Sequence, residues 1–406
     1  MKIGFFTDSF RPYTSGVVRS IELFSREFTA RGHEVYIFGP DYPLLHPPKE
    51  EGVFRFISLP APTMPDFSIP IPISVQLGPT IKRIGLDIIH VHSPFFLGSL
   101  GARAARRYRL PLIFTFHTLY DQYVHYFPIA EKTSKKIVQT IGREFCNRCN
   151  MVVAPSQIVV NYLQRIGVEA PIVNIPTGID LAEFRDLDNN WLKKNYGLKE
   201  EDKVLLFVGR LGKEKNVAFL IKSFNSVHHQ FPSTRLVLVG KGPQENYLHQ
   251  LCRQLGLENK VVFTGVLSRQ KIVHCYASAD LFVFPSVTET QGLVIGEAKA
   301  AGLPVVAIRA FGPAEMVAHG EDGLLTEPSL SSFTDAIMQL LQNKPLYDSM
   351  SIQALINAPR ISSSNCAELM LEVYQDLLSE KVCASRKRKP YLQNLLKPNK
   401  RSNRVL

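Results

Sequence analysis

The sequence lacks long apolar runs, has a single Trp, shows no cysteine rhythm and carries no acid at its C-terminal end. No stretch approaches the ~18 consecutive apolar residues of a membrane-spanning helix. The opening MKIGFFTDSF is broken by Asp8 too early for a secretory leader, so a cytoplasmic protein is expected. Six Cys scattered over 406 residues do not form a disulfide scaffold and point to a reducing compartment. Cys146 and Cys149 make one C-x-x-C on a charged, helical stretch with no second pair or His cluster nearby, and are read as coincidence. With 45% apolar and 20% charged residues the composition is that of an ordinary globular protein, which excludes bulk disorder.

Acid is missing from Lys381 onward, where nine Lys and Arg stand alone; the formal net charge is +11, so the rest of the chain holds only +2 (11 − 9). The basicity is local. Such a tail suits RNA, an anionic membrane or a solvated, disordered end. A chain of this length exceeds the ~250–300 residues that one core serves, so two domains are expected.

Residues 2–7 read as a buried strand, followed by a loop containing Gly16 and a helical pattern from Val17 to Ala30, the start of a βαβ unit. Glu34–Phe38, Asp87–His92, Leu112–Phe116, Met151–Ala154 and Ile172–Ile175 read as further strands. Residues 59–79 are too Pro-rich for a regular element and read as a long loop over the sheet edge. Glu131–Cys149 reads as an amphipathic helix with Lys132, Lys135, Lys136 and Arg143, suited either to an interface or to a solvated face. Periodicity lapses over the turn-rich, charged 176–202, the linker. A second series follows with strands at Lys203–Gly209, Arg235–Gly240, Val261–Thr264, Asp280–Phe284 and Pro304–Ile308, alternating with helices. Ser331–Gln342 and Cys366–Leu378 close the chain. The reading is α/β: two doubly wound parallel-sheet domains with a cleft between them, over 1–178 and 203–361, with a helix near 362–380 packing back on the first.

The stretch FVFPSVTETQGLVIGEAKAAGLP, Phe282 to Pro304, organises the rest. A strand ends at Phe284, a polar loop carries Glu289, Gly292 opens a helix and Glu297 lies on its second turn. A helix N-terminus offers unpaired N–H groups and a positive dipole end, here the amides of Leu293 and Val294, so the junction favours a phosphate and leaves the carboxylates for hydroxyl donors. Arg210 and Lys215, in the loop after the second domain's first strand, supply two cations able to clamp a diphosphate. Gly16 opens the first helix, where a missing side chain lets backbone N–H reach phosphates across the cleft or simply serves a turn. His92 and His117 each end a strand, as packing residues or as site residues; His117 also opens the polar aromatic loop TLYDQYVHY.

These residues resemble a retaining glycosyltransferase of family 4 with the two-domain GT-B fold, over nearly the whole chain. The matching motifs are Glu-x7-Glu (Glu289, Glu297), GR-x-x-x-EKN (Gly209, Arg210, Glu214, Lys215, Asn216), VG-x-GP (Val239, Gly240, Gly242, Pro243) and the opening strand with PYTSGV. The resemblance implies that Glu297 binds ribose hydroxyls, Glu289 faces the donor sugar, Arg210 and Lys215 neutralise the diphosphate, and His117 lies beside the reacting carbon. It implies no metal and no cofactor, and backbone recognition of the base around Val266–Ser268.

A narrower resemblance, on TETQGLV and FHTLYDQYVHYF, is to bacterial 1,2-diacylglycerol 3-glucosyltransferases, which use UDP-glucose. It implies an acceptor-binding first domain, a nucleotide-sugar-binding second domain, a lipid acceptor at the inner face of the cell membrane and no nucleic acid partner. Other acceptors (phosphatidylinositol, a lipopolysaccharide core sugar, a small soluble molecule), GDP-mannose as donor, and a non-enzymatic binding protein with a nucleic-acid-binding tail are the rival readings. The sequence departs from the family at Gly296, where a bulky apolar residue is usual, and at Lys299, where Met or Leu is usual.

Overall fold

The computed structural model describes residues 1–61, 64–119 and 131–383. The aromatic loop from Tyr120 onward and the basic tail beyond Cys383 lie outside the described residues.

The first half runs β1 (Lys2–Phe6), α1 (Gly16–Ala30), β2 (Glu34–Pro40), β3 (Val53–Phe56), β4 (Ser58–Ala61), β5 (Met64–Pro70), α2 (Leu77–Ile84), β6 (Ile88–Val91), α3 (Phe96–Tyr108), β7 (Leu112–Thr115), α4 (Glu131–Cys146), β8 (Met151–Ala154), α5 (Gln157–Arg165) and β9 (Ile172–Asn174). After α6 (Trp191–Tyr196), the second half runs β10 (Lys203–Val208), α7 (Val217–Gln230), β11 (Thr234–Val239), α8 (Glu245–Gln254), β12 (Val261–Gly265), α9 (Arg269–Ala277), β13 (Leu281–Phe284) and α10 (Leu293–Ala300). It ends with β14 (Val305–Ile308), α11 (Phe311–Met316), β15 (Gly323–Thr326), α12 (Leu330–Gln342), α13 (Lys344–Asn357) and α14 (Ser363–Cys383).

Two parallel sheets result, ordered β3-β2-β1-β6-β7-β8-β9 and β12-β11-β10-β13-β14-β15. Their central strands are buried throughout, because helices cover both faces and leave no solvent side for polar alternation. Each sheet reverses its winding beside its first strand, at β1/β6 and at β10/β13. Such switch points open a crevice at the carboxyl ends of the strands. α14 returns to the first sheet, where Ala367, Met370 and Tyr374 join Phe5, Ile21 and Phe28 in one core.

Three sequence expectations are corrected. Residues 59–79 are not a plain loop: β4 and β5 pair antiparallel, Ser58 opposite Pro70 and Leu59 opposite Ile69, and α2 begins at Leu77. A lone two-stranded ribbon has free edges on which prolines need no ladder partner, so Pro60 and Pro70 fit. The linker holds α6, whose Leu192 is fully buried in the second core. The sheets also gain the edge strands β3 and β15, which escape a periodicity reading because they are short and flanked by charge or Gly.

Candidate active site

In the second domain β10 runs into the loop that carries Arg210 and Lys215. Gly209 N–H donates to Val239 O (2.9 Å) and Leu211 N–H to Lys241 O (3.0 Å), which seats this loop on the one after β11. A Cβ at Gly240 would stand 2.1 Å from Gly209 O, and one at Gly242 2.4 Å from Leu211 O, so only glycine permits the approach. The VG-x-GP motif therefore acts by positioning Arg210. Lys215 closes a short 3-10 turn that ends at Asn216 in the left-handed region (φ 55°). Its ammonium donates to Glu289 Oε1, which also accepts from Ser286 Oγ at 2.9 Å.

Glu289 lies in the loop between β13 and α10. Gly292 (φ 88°) turns this loop into α10, which follows β13, the neighbour of β10 at the switch point. Leu293 and Val294 pack their side chains, partly buried, against apolar clusters. One turn on, Glu297 is 5% exposed. Its Oε1 accepts from Arg269 Nη1 (2.6 Å) and its Oε2 from the Tyr276 hydroxyl (2.8 Å). A carboxylate has about four lone-pair sites, so Glu297 keeps acceptor capacity beyond these two bonds.

Arg269 continues to Glu183 (2.7 Å), which accepts from Arg19 of α1 (2.6 Å). Glu297 is thus tied through one chain of charges to the first domain. Burial opposes charge on Arg269, yet the carboxylates of Glu297 and Glu183 outweigh it and raise its pKa. Burial likewise opposes ionised Glu183, but hydrogen bonding and charge from Arg19 and Arg269 lower its pKa overall. Burial, then the charge of Glu297, pushes the Tyr276 phenol well up, so it stays a donor.

The two departures from the family pattern have structural causes. A Cβ at Gly296 would lie 2.7 Å from Ile361 Cδ1 and 3.0 Å from Ile179 Cγ1; glycine lets α10 pack against both. Lys299 is buried and pairs with the fully buried Asp322 (Nζ–Oδ2 2.6 Å), donating also to Met316 O (2.9 Å). Asp322 in turn accepts from Asn357 Nδ2 (2.8 Å). An ion pair here replaces an apolar contact.

The first-domain wall is neutral. His90, His92 and His117 stack in a row, ring centroids 4.4 Å and 5.2 Å apart. His90 bonds Tyr374 (2.5 Å) and Thr115 (2.7 Å); His92 Nδ1 lies 2.9 Å from His117 Nε2. Burial pushes His90 and His117 down to about 3, the neighbouring His117 charge adding to the effect at His90, and holds His92 well below the usual range. Both partners of the His92–His117 bond are therefore neutral rings. Among the described residues His92 Nε2 is buried with no partner. A buried orphan N–H is the rarer defect, so the His92 proton belongs on Nδ1 and donates to His117 Nε2. His117 is left with its proton on Nδ1.

One loop clasps the two walls together. Thr290, next to Glu289, donates its hydroxyl to His117 O (2.8 Å), and Ser156 Oγ donates to Thr290 O (2.6 Å). Gln291 is buried and bonds Thr177 twice, accepting from N (2.9 Å) and donating to O (2.8 Å). Glu315 accepts from Gln157 N (2.8 Å) and Ile158 N (2.5 Å), a carboxylate at the positive end of α5.

Arg210, Lys215, Glu289, Gly292, Leu293, Val294 and Glu297 therefore come from two adjoining strand ends, with His117 opposite. Gly16 begins α1 across the cleft, with open space where a side chain would be. Val266 follows β12 and is 64% exposed. Sequence reading misses Arg19, Glu183, Arg269, Tyr276, Thr290 and Gln291 as connectors, since their partners lie far away in sequence. The C-x-x-C thiols are buried and free, with burial pushing Cys146 up to about 12.

Residues 14–183 match the family described as Glycosyltransferase Family 4, and residues 188–355 match Glycosyl transferases group 1. An alpha-monoglucosyldiacylglycerol synthase of Streptococcus pneumoniae is 33% identical over 76% of this chain and 71% of its own length. The protein of that name from Acholeplasma laidlawii is 27% identical over 94% and 98%. Among solved structures, Anabaena HepE in complex with UDP and glucose superposes with a TM-score of 0.74 at 22% identity, covering 93% of this chain and all of that one. Sucrose-phosphate synthase from Thermosynechococcus elongatus reaches 0.78 at 19% identity, covering 93% and 99%. With its fold, its paired-domain cleft and these relatives, the chain belongs to glycosyltransferase family 4 and is a GT-B enzyme.

Proposed function

We propose that this enzyme transfers glucose from UDP-glucose to membrane diacylglycerol with retention at the anomeric carbon, acting at the inner face of the cell membrane. The observation that carries the proposal is the clasped site itself. Cations and a helix N-terminus from the second domain are joined through Thr290 to His117 of the first. The names of the two relatives supply the acceptor class.

The donor diphosphate lies between Arg210, Lys215 and the amides of Leu293 and Val294, and the ribose reaches Glu297. Lys215 exchanges its Glu289 partner for phosphate, which frees Glu289 to receive sugar hydroxyls. The bond from the anomeric carbon to the phosphate oxygen breaks, the acceptor oxygen bonds to that carbon, and the acceptor proton passes to the leaving phosphate. Fixed cations stabilise the charge that builds on that phosphate, so no metal is needed. Neutral His117 offers its Nδ1 proton to the sugar rather than acting as nucleophile.

Lys136 and Arg143 of α4 add positive charge that suits anionic lipid, as does the basic sequence of the tail. The test is mass spectrometry of products formed from micellar diacylglycerol and, separately, UDP-glucose, UDP-N-acetylglucosamine and GDP-mannose. Hexosyl-diacylglycerol from UDP-glucose, absent in Glu297→Ala, supports donor, acceptor and site together. Product only on inositol phosphate or another soluble acceptor overturns the lipid reading.

A further inference from the structure

The β4–β5 hairpin is built inside out. Ser58 and Ser68 point inward and are buried, Ser58 Oγ accepting from Asp41 N (3.0 Å) and donating to Phe56 O (2.7 Å). The alternate positions carry Ile57 (75% exposed) and Leu59, and the chain leaving β5 carries Ile71, Ile73 (77%) and Val75 (90%) to solvent. Ile71 N–H donates to Ile57 O (2.8 Å), so the two segments form one edge. A strand pair that only covers a sheet would hide its isoleucines and expose its serines. Here the apolar face is turned away from the core, and apolar surface gathered in this way marks an interaction site.

The neighbouring charge identifies the occupant. Val75 leads directly into α2, which exposes Lys82 and Arg83; Tyr108 at the end of α3 reaches Gly78 O (3.4 Å), bringing Arg107 and Arg109 to the same flank. The lone acid between residues 75 and 111 is Asp87, which accepts from Lys2 N at 2.7 Å. Apart from Ser58 and Ser74 the named edge is aliphatic, without the Trp, Tyr or Arg anchors that dominate protein interfaces. An aliphatic edge bordered by cations that make no ion pair among the described residues matches hydrocarbon beneath anionic headgroups.

We infer that the hairpin edge Ile57–Leu59 and Ile71–Val75 inserts into the acyl boundary of an anionic bilayer, with Lys82, Arg83, Arg107 and Arg109 on the headgroups. This deepens the lipid-acceptor reading above and rests on it for its purpose. It places the first domain's acceptor wall against the membrane.

The test uses the full chain and vesicles of phosphatidylglycerol and phosphatidylcholine without diacylglycerol. The Ile73→Trp variant is expected to shift its emission to the blue on vesicles and to be quenched by brominated acyl chains, beyond the background of Trp191. Ile57→Asp/Ile73→Asp is expected to bind vesicles at least tenfold more weakly. Because both side chains are exposed, its melting temperature, UDP binding and turnover of micellar diacylglycerol should match the unsubstituted protein. An Ile73→Trp protein that co-sediments without added quenching, or undiminished binding by the double variant, overturns the inference. A dimer that the double variant splits while vesicle binding persists also overturns it, in favour of a self-interface. If micelles give no glycolipid while the Ile73→Trp emission is quenched, the acceptor reading fails and the membrane edge stands.

Discussion

The two walls of the cleft are built on opposite electrostatic principles. The second domain brings ion pairs into its interior and its mouth: Lys215 with Glu289, Arg269 with Glu297 and Glu183, Lys299 with Asp322. The first domain lines its wall with three stacked histidines held neutral by burial. On the proposed function, the difference follows from what each wall would meet. A nucleoside diphosphate brings charge and needs fixed countercharge, whereas a hydroxyl acceptor needs a dry, uncharged place to lose its proton. On the proposed function, the Lys215–Glu289 pair keeps that ammonium oriented until the donor diphosphate replaces Glu289.

That contrast can be broken at several points. The largest effect is expected where a buried charge loses its partner. Lys299→Met restores the apolar residue usual in the family but strands Asp322, and should cost about 3–5 kcal/mol of stability in urea unfolding. Lys299→Met/Asp322→Asn should recover most of it. If the single variant unfolds at the same urea concentration as the unsubstituted protein, the pair is not a structural element.

Lys215→Ala removes one cation from the leaving diphosphate and should lower kcat by about a hundred- to a thousandfold, or about 2.7–4 kcal/mol in the barrier. Steady-state kinetics with UDP-glucose measures this, and a change confined to KM would place Lys215 in ground-state binding alone.

On the neutral wall, acid is the sharper tool. His90 is depressed from the ordinary 6.5 to about 3. Above the ordinary value neither folded nor unfolded chain holds this proton, and stability is full. As pH falls below it the unfolded chain takes the proton and the folded one does not, so stability drops by about 1.4 kcal/mol per pH unit until the folded value is reached. His90→Gln should show a shallower loss between about pH 6 and about pH 4; parallel curves would contradict the buried neutral stack. The smallest effect belongs to the clasp. Gln291→Ala leaves the Thr177 amide and carbonyl unpaired and should cost about 1–3 kcal/mol, read as earlier unfolding together with weaker coupling of donor binding to turnover.

The same contrast explains what can be read in the sequence. The second domain's half of the candidate site is legible because its residues are local in sequence. Arg210 and Lys215 share one loop, and Glu289, Gly292 and Glu297 share one strand-to-helix junction, so spacing alone aligns them. The sheets are legible because buried parallel strands are continuous apolar runs. What stays hidden depends on contacts between distant segments: Arg19 meeting Glu183, Gln291 meeting Thr177, and His92 setting the proton of His117. The hairpin is hidden because its prolines mask a strand pair, and its isoleucines look like core until the fold shows them facing out. Lys299 looks like a flaw in the motif until Asp322 appears beside it.

The measurement that tests the account most directly is a structure of the enzyme with bound UDP-glucose. The diphosphate should lie between Arg210, Lys215 and the first amides of α10, with Lys215 withdrawn from Glu289, the ribose at Glu297 and the glucose toward His117. A nucleotide bound elsewhere, or a Lys215–Glu289 pair left intact beside it, would contradict the account.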